Sequence, residues 1–173
     1  METCGRVIIN TGNGKGKTTA ALGTAFRTLG HGGRVCVIQF LKGQGQYGER
    51  VMAGKTENLD WFICGKGFVF KKDNIDEDRE VARQGFEIAR EKVLSDQYDL
   101  IILDEITYLP LYDFLDVTEI VKLIQNKPKR LSLILTGRDA VPELIAVADT
   151  VTVMEPLKHA YENGIKAQKG IEF

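Results

Sequence analysis

The sequence is poor in cysteine and histidine, the residues on which disulfide frameworks and zinc centres depend. Its 173 residues include three cysteines, Cys4, Cys36 and Cys64, which are far apart and form no C-x-x-C pair. This pattern argues against a disulfide scaffold or a cysteine metal site. Cys36 falls in an apolar run, which predicts a small core residue and is typical of a protein of the reducing cytoplasm. The two histidines, His31 and His159, have no metal-ligand spacing and are expected at the surface or in loops.

An excess of charge of either sign is also absent, as is any long apolar run. The 23 Lys and Arg residues nearly balance the 24 Asp and Glu residues, for a net charge of −1. A dedicated nucleic-acid binder usually carries a basic excess, so the balance favours a protein without a nucleic-acid partner. No apolar run approaches the roughly 18 residues of a membrane span, and the N-terminus lacks the pattern of a secretory signal. We therefore expect a cytoplasmic protein that does not associate with a membrane.

Glycine, by contrast, is abundant, and its excess is local. Fourteen of the 18 glycines fall within the first 70 residues. A local excess indicates segments with special backbone geometry rather than a low-complexity chain, because glycine adopts positive φ angles at no steric cost. Two further stretches, 42–57 and 155–173, are polar and irregular in pattern, and their length predicts functional loops.

Short apolar runs alternate with helical patterns along the chain. The runs are continuous in Val, Ile and Leu, which is typical of strands buried on both faces of a parallel sheet. Predicted strands cover residues 6–10, 34–40, 59–64, 100–104, 131–136 and 150–154, and predicted helices cover 18–29, 75–95, 117–124 and 140–147. Gly30 is expected to end the first helix. The alternation predicts an α/β fold of three layers, with a mainly parallel sheet and helices on both faces, and the length fits one domain over residues 1–173.

A glycine-rich segment joins the first predicted strand to the first predicted helix. Residues 11–19 read TGNGKGKTT, with Lys17 and Thr18 at the start of the helix. Strand, glycine-rich turn and helix in this order form the setting of a P-loop, in which backbone N–H groups and the helix N-terminus face phosphate oxygens. Lys17 is then expected to reach a phosphate, and the Thr18 hydroxyl a magnesium ion. The pattern is a variant, because Thr11 stands where the strict motif has glycine and Lys15 is an additional lysine.

A second segment supplies acidic residues at the end of a strand. Residues 98–105 read YDLIILDE, a buried strand that ends in Asp104 and Glu105. P-loop proteins use an acid at this position to hold the metal ion or its water shell. The two segments together predict a single-domain P-loop fold of the RecA-like type, with Thr18, Asp104 and Glu105 as candidates for the metal site. Arg138 follows a later strand at the same sheet edge and is expected either to neutralise phosphate or only to cap the next helix.

The phosphate loop resembles that of a known enzyme family. TGNGKGKTT at 11–19 is similar to the variant P-loop of the ATP:corrinoid adenosyltransferases of the CobA type. Further resemblance, in the order of the family, lies in VIQFLKG at 37–43, GKGFVF at 65–70, LDEITY at 103–108 and KHAYENGIKAQKGIEF at 158–173. These blocks extend over almost the whole chain, and the loop variant together with the C-terminal segment is far more specific than a P-loop alone.

The resemblance implies a reaction in which the 5′-deoxyadenosyl group of ATP passes to Co(I) of a corrinoid and triphosphate leaves. ATP and the corrinoid would be the substrates, with Mg²⁺ or Mn²⁺ as the metal. Lys17 and Glu105 would be the catalytic residues, with Glu105 also helping to hold the metal. The residues expected to bind ATP are Gly12, Asn13, Gly14, Lys15, Gly16, Lys17, Thr18 and Thr19. Reduced cobalt is itself the nucleophile, which agrees with the lack of a Ser-His or Cys-His arrangement.

The same resemblance assigns a role to two aromatic residues. The family uses aromatic side chains in the segment that matches 65–70 to crowd the lower face of the corrin, which favours a cobalt without its lower ligand. The matching residues here are Phe68 and Phe70, and the second is commonly Trp in the family. The alternative is that both are core residues of a strand, although the glycines before them and the lysines after them favour a loop.

Two expectations about partners also follow from the resemblance. It implies a homodimer and an electron-donating flavoprotein reductase. Many relatives carry a longer segment ahead of the first strand, which helps to cover the active site, whereas the first predicted strand begins here at residue 6. We therefore expect either that this cover is absent or that it comes from residues 42–57 or from a dimer partner.

Two other functions share the P-loop and remain open on sequence grounds. A small nucleoside or nucleotide kinase would also use the strand that ends in Asp104 and Glu105, although such kinases usually need an arginine-rich lid that is not evident here. An ATP-dependent RecA-like binding module would often carry an aromatic platform for nucleic acid. Phe68 and Phe70, followed by Lys71 and Lys72, are compatible with such a platform.

Overall fold

The fold is a six-stranded parallel sheet with helices packed against it, seen in a computed structural model that describes residues 4–41, 43, 45, 47–65 and 75–172. The strands are β1 (Val7–Thr11), β2 (Val35–Gln39), β3 (Leu59–Ile63), β4 (Leu100–Asp104), β5 (Ser132–Thr136) and β6 (Thr150–Val153). The helices are α1 (Lys17–Gly30), α2 (Gly48–Ala53), α3 (Ile75–Leu94), α4 (Tyr108–Leu111), α5 (Val117–Gln125) and α6 (Pro142–Ala146).

The strands lie in the order β3-β2-β4-β5-β1-β6, and every pair of neighbours is parallel. The register places Asn10 beside Thr136 and Gln39 beside Asp104. The carboxyl ends of the four central strands therefore meet at one edge of the sheet, where open α/β sheets bind their ligands. The predicted α/β architecture and its six strands are confirmed.

The sheet is covered on both faces, which explains why the strand sequences are continuously apolar. Ile101 and Leu103 of β4 pack into the larger of two apolar clusters formed by the described residues, together with α3, α5 and α6. Leu100 and Ile102 point to the opposite face and pack against α1. Successive side chains of a strand point to opposite faces, so a strand with helices on both sides must be apolar at every position. The predicted three layers are therefore confirmed.

Helix α1 ends differently from the prediction. Gly30 lies within the helix, His31 is its C-cap, and the residue with positive φ is Gly32, at 78°. The backbone N–H of Gly32 donates to the carbonyl of Leu29. The glycine that turns the chain away from the helix is therefore Gly32, two residues later than the sequence indicates. Both residues are glycine, so the pattern of glycines alone did not distinguish them.

The two stretches predicted to be irregular contain short helices. Helix α2 lies within 42–57, so the prediction of a wholly irregular loop is wrong there. A short 3-10 helix, Tyr161–Asn163, interrupts an otherwise irregular C-terminal segment. Both helices are too short to show a clear period of apolar residues. In the described parts of the chain, no helix is both long and apolar enough to cross a membrane.

Two of the three cysteines, one in β2 and one directly after β3, are core residues. Cys36 and Cys64 are buried free thiols, whereas Cys4 is exposed. Burial raises the pKa of Cys36 to about 12 and that of Cys64 to about 11. The expectation that Cys36 acts as a small core residue is confirmed.

Candidate nucleotide site

The glycine-rich loop wraps around the side chain of Lys17. Gly16 has a φ of 103° and is the N-cap of α1, so Lys17 is the first residue of the helix. The Lys17 ammonium donates to the carbonyl oxygens of Gly12 at 2.7 Å and Gly14 at 2.8 Å. Burial lowers the pKa of Lys17, and the nearby carboxylate of Glu105 opposes that shift. The loop therefore holds a partly buried cation at its centre.

Two of the loop glycines are explained by a close neighbour that the sequence did not reveal. A Cβ atom on Gly12 would lie 2.5 Å from the carbonyl oxygen of Met154, and one on Gly14 would lie 2.7 Å from it. The N–H of Gly14 donates to the same oxygen at 2.6 Å. The chain that follows β6 therefore packs directly on the loop, and a side chain at either glycine would displace it.

Thr18 and Asp104 lie in direct contact beneath the loop. The Thr18 hydroxyl donates to Asp104 Oδ1 at 2.8 Å, and the Thr136 hydroxyl donates to the same oxygen at 2.6 Å. Asp104 is fully buried. Two of the three predicted metal-site residues, one at the start of α1 and the other at the end of β4, are thus brought together.

This pair of oxygen donors suits a magnesium ion that also binds a nucleotide. Mg²⁺ prefers oxygen ligands, keeps several waters and is usually held by one or two protein groups together with substrate phosphates. The described residues contain no cluster of three His, Cys, Asp or Glu side chains that could form an all-protein cage. A hydroxyl and a carboxylate beside a phosphate loop therefore fit Mg²⁺ or Mn²⁺ only in partnership with bound triphosphate.

Glu105 occupies a constrained position at the end of β4. Its φ of 64° lies in the left-handed region, which is uncommon for a residue other than glycine and is concentrated at functional sites. Its N–H donates to the Thr136 hydroxyl at 2.9 Å. Unlike the buried Asp104, Glu105 faces the cavity above the loop. The Asp104 carboxylate therefore lies buried against Thr18, whereas Glu105 lines the cavity.

A cavity of about 570 Å³ opens above the phosphate loop. The predicted residues that line it are Asn13, Gly14, Lys15, Gly16, Lys17, Thr18 and Glu105. Three others, Gly12, Thr19 and Asp104, are not part of its lining: Thr19 is exposed and Asp104 lies behind Thr18. Arg138 also lines the cavity, which favours the phosphate-neutralising interpretation of this residue over simple capping.

Several lining residues were missed by the sequence analysis. Tyr108, Leu111 and Tyr112 form one part of the cavity lining, the tyrosine wall, and the rings of the two tyrosines stack with centroids 5.6 Å apart. Burial raises the pKa of Tyr108 to about 12. Their position directly after the Asp-Glu pair was the available signal. The remaining lining residues are Glu49, Asp139, His159 and Glu172.

The C-terminal segment reaches the phosphate loop through an ion pair. The Lys15 ammonium lies 2.6 Å from Glu172 Oε1, and the N–H of Gln168 donates to Glu172 Oε2 at 2.7 Å. Lys15 keeps the pKa of Glu172 below its usual value. His159 lies in an irregular segment, in agreement with the expectation of a surface or loop histidine, and it also lines the cavity. The C-terminal segment is therefore part of the site.

The two phenylalanines assigned to the corrinoid, Phe68 and Phe70, lie outside the described residues. The last described residue before them is Gly65, whose Cβ position would lie 2.5 Å from the carbonyl oxygen of Phe40. Phe40 in turn donates its N–H to the carbonyl of Asp104. The chain therefore leaves the sheet beside the carboxyl ends of β2 and β4.

Comparison with known proteins agrees with this geometry. A sequence profile of the family described as ATP:corrinoid adenosyltransferase BtuR/CobO/CobP matches residues 3–173. The chain is 38% identical to the corrinoid adenosyltransferase of Escherichia coli strain K12, over 98% of this chain and 86% of that protein. It is 37% identical to the corrinoid adenosyltransferase CobA of Salmonella typhimurium strain LT2, over 100% of this chain and 88% of that protein.

A solved structure supports the fold alone. The flagellar accessory protein FlaH from Methanocaldococcus jannaschii superposes with a TM-score of 0.57 at 15% sequence identity. The superposition covers 87% of this chain and 71% of FlaH. The predicted P-loop fold of the RecA-like type is in accord with this likeness.

Proposed function

The chain belongs to the ATP:corrinoid adenosyltransferase family of BtuR, CobO and CobP, and on that premise we propose how its residues carry out the transfer. The enzyme moves the 5′-deoxyadenosyl group of ATP to Co(I) of a corrinoid. The cobalt supplies both electrons of the new Co–C5′ bond, and the electron pair of the broken C5′–O bond leaves with triphosphate. No protein nucleophile is required, because the reduced cobalt fills that role.

The observation that carries the proposal is the position of Lys17. Its ammonium lies at the centre of the loop, 2.7 and 2.8 Å from two carbonyl oxygens, next to the cavity. Negative charge builds on triphosphate as the C5′–O bond breaks. Preorganised donors aimed at developing charge usually supply the largest catalytic contribution. We assign that contribution to Lys17, to Lys15 and to the N-terminus of α1.

The remaining nucleotide contacts follow from the loop. We propose that the backbone of Gly12, Gly14 and Gly16 shapes the triphosphate site, and that the side chains of Asn13 and Thr19 contact the nucleotide. The exposed position of Asn13 at the cavity supports its assignment. The assignment of Thr19 rests on the family resemblance, since this residue is not part of the cavity lining.

A divalent metal would be held from the protein side by Thr18, which lines the cavity, and by Asp104 behind it, with Glu105 also lining the cavity. Their oxygen atoms suit Mg²⁺ or Mn²⁺, which when bound would neutralise part of the triphosphate charge. Thr18 places its hydroxyl at the base of the phosphate site, and Asp104 accepts from that hydroxyl at 2.8 Å. The Thr18 hydroxyl is thereby oriented before any ligand arrives.

The proposal also covers the corrinoid and the partners. We propose that Phe68 and Phe70 lie against the corrin, that the enzyme is a homodimer of one-domain chains over residues 1–173, and that a flavoprotein reductase delivers the electrons. The exit of the chain at Gly65 beside β2 and β4 supports a corrin contact near the nucleotide cavity. The buried free thiols support a cytoplasmic setting, and we propose no nucleic-acid partner.

The reaction is tested by identifying the phosphate product. The protein is incubated under anoxia with ATP, Mg²⁺ and chemically reduced cobalamin while the Co(I) absorption and the phosphorus NMR spectrum are followed. Loss of Co(I) with intact triphosphate is expected. Formation of ADP with Co(I) unchanged would contradict the proposal and favour a kinase or an ATP-dependent switch. A sample without ATP controls for spontaneous oxidation of Co(I).

A further inference from the structure

The buried carboxylate of Asp104 accepts hydrogen bonds on both of its oxygens. Oδ1 accepts from the hydroxyls of Thr18 and Thr136, and Oδ2 accepts from the side-chain amide of Gln39 at 2.8 Å. Asp104 is fully buried and Gln39 is 1% exposed. A buried charge is tolerated only when it is well paired, and here the hydrogen bonds also fix the plane of the carboxylate.

The amide of Gln39 is itself held in one orientation. The indole N–H of Trp61 donates to Gln39 Oε1 at 3.1 Å. An amide can present either its oxygen or its NH₂ group, whereas an indole nitrogen is only a donor. Trp61 therefore selects the orientation in which Gln39 turns its NH₂ group toward Asp104. The opposite orientation would bring the amide oxygen against a carboxylate oxygen.

The strand register explains how these side chains meet. Trp61 lies opposite Val37 on β2, and Gln39 is two residues further along the same face. Gln39 lies directly opposite Asp104 on β4. Val37, Trp61 and Ile102 belong to the apolar cluster under α1. Gln39 and Asp104, each two residues further along its strand than Val37 or Ile102, therefore lie at the edge of that cluster next to Thr18. Gln39 interrupts an otherwise apolar run, which was the sequence signal.

We infer that Gln39 is a positioning residue that aims the Asp104 carboxylate at Thr18 and at the divalent metal, and that Trp61 acts through Gln39 by locking its amide. This inference rests on the metal site proposed above. Neither residue lines the cavity, so neither is expected to touch the nucleotide. Loss of the amide frees Asp104 to rotate away from the Thr18 hydroxyl, which weakens metal binding without removing any phosphate contact.

The test measures metal dependence rather than turnover. Binding of a fluorescent ATP analogue is titrated with Mg²⁺ for the wild type and for Gln39→Met, which keeps the length of the side chain and removes the amide. The half-saturating Mg²⁺ concentration is expected to rise by about 10-fold or more, as is typical when a partner of a metal ligand is lost. Binding of the analogue in EDTA is expected to stay unchanged.

Trp61→Phe is the matched variant, because it keeps the aromatic ring and removes only the N–H donor. It is expected to raise the half-saturating Mg²⁺ concentration less than Gln39→Met does. The double variant is expected to match Gln39→Met, since Trp61 acts only through the amide. Far-UV circular dichroism and thermal melting verify folding, and Trp61→Phe tests the same chain of contacts should Gln39→Met fail to fold.

The outcomes distinguish a failure of this inference from a failure of the proposed metal site. The inference alone would be overturned if binding by the wild type depends on Mg²⁺ and the folded Gln39→Met and Trp61→Phe variants show the same half-saturating Mg²⁺ concentration. Equal weakening of binding with and without metal would show a merely structural role and would also overturn it. A wild type whose binding ignores Mg²⁺ would overturn the metal site and the inference together.

Discussion

At the scale of single residues, the two lysines of the phosphate loop differ in position: Lys17 lies inside the loop and Lys15 lies at its surface. Lys17 is partly buried and bonded to two loop carbonyls, whereas Lys15 is exposed and paired with Glu172. The difference in burial decides how strongly each can act on triphosphate, because a charge away from water is screened less. Only Lys17 is therefore placed to dominate stabilisation of the leaving group.

Lys17→Ala is expected to lower kcat by roughly 100- to 1,000-fold, the usual effect of removing one preorganised donor. The fold is expected to persist, since the hydrogen bonds of the Lys17 ammonium go to two carbonyls of the loop among the described residues. Initial rates of Co(I) consumption under anoxia measure the effect. Lys15→Ala serves as the control and is expected to lose far less activity. A Lys17→Ala variant with normal turnover would reject the assignment of the phosphate loop.

Substitutions of glycine test the backbone geometry of the site through the free energy of unfolding, and Gly137 is the most constrained example. It has a φ of 138°, and a Cβ atom there would lie 2.0 Å from the Thr107 hydroxyl. Gly137→Ala is expected to destabilise the protein by about 2–4 kcal/mol, through backbone strain and overpacking. Gly23 of α1 has no atom within 4 Å of its Cβ position, and Gly23→Ala is expected to stabilise by about 0.5–1 kcal/mol.

Urea unfolding of the two variants provides the measurement. Opposite signs of the change in the free energy of unfolding are expected. Equal changes in both variants would mean that the close approach of Thr107 to Gly137 is not maintained in solution.

At the scale of elements, the chain that follows β6 contacts the phosphate loop at two points. Met154 packs on Gly12 and Gly14, and Glu172 pairs with Lys15. The carboxylate of Glu172 therefore binds the same ammonium that we assign to triphosphate. The two anions are expected to compete for Lys15.

Glu172→Gln is expected to bind inorganic triphosphate more tightly, because it removes both the competitor and a like charge beside the phosphates. The gain is expected to be about 2- to 5-fold, in keeping with the small energy of an exposed ion pair. The inhibition constant of triphosphate measures it. Glu162→Gln, in the same segment but outside the cavity lining, is the control. Weaker inhibition in Glu172→Gln would contradict the competition.

The elements also show where sequence reasoning succeeds and where it stops. The six strands and the long helices α1 and α3 were predictable, because burial on both faces and a regular apolar stripe leave a clear pattern. Helices α2 and α4 have six and four residues, too few to show a period. Their positions depend on contacts with other elements, which a single sequence does not display.

At the scale of the whole molecule, the candidate site combines parts of very different predictability. The loop and the Asp-Glu strand end follow from local sequence and parallel-strand geometry. His159 and Glu172 come from a segment far along the chain from the loop, and the Gln39–Trp61 chain of contacts depends on strand register. The first two depend on β6 lying beside β1, and the last depends on β3 lying beside β2, so only the assembled sheet reveals them.

The central claim is that this phosphate loop holds the triphosphate of ATP as the leaving group for transfer at C5′. The most direct test is a crystal structure with ATP and Mg²⁺ and without reduced corrinoid, so that no transfer occurs. We expect the triphosphate inside the loop, with Lys17 moved from the carbonyls of Gly12 and Gly14 to a phosphate oxygen, and with Mg²⁺ at Thr18. Triphosphate bound elsewhere, with Lys17 still on those carbonyls, would contradict the account.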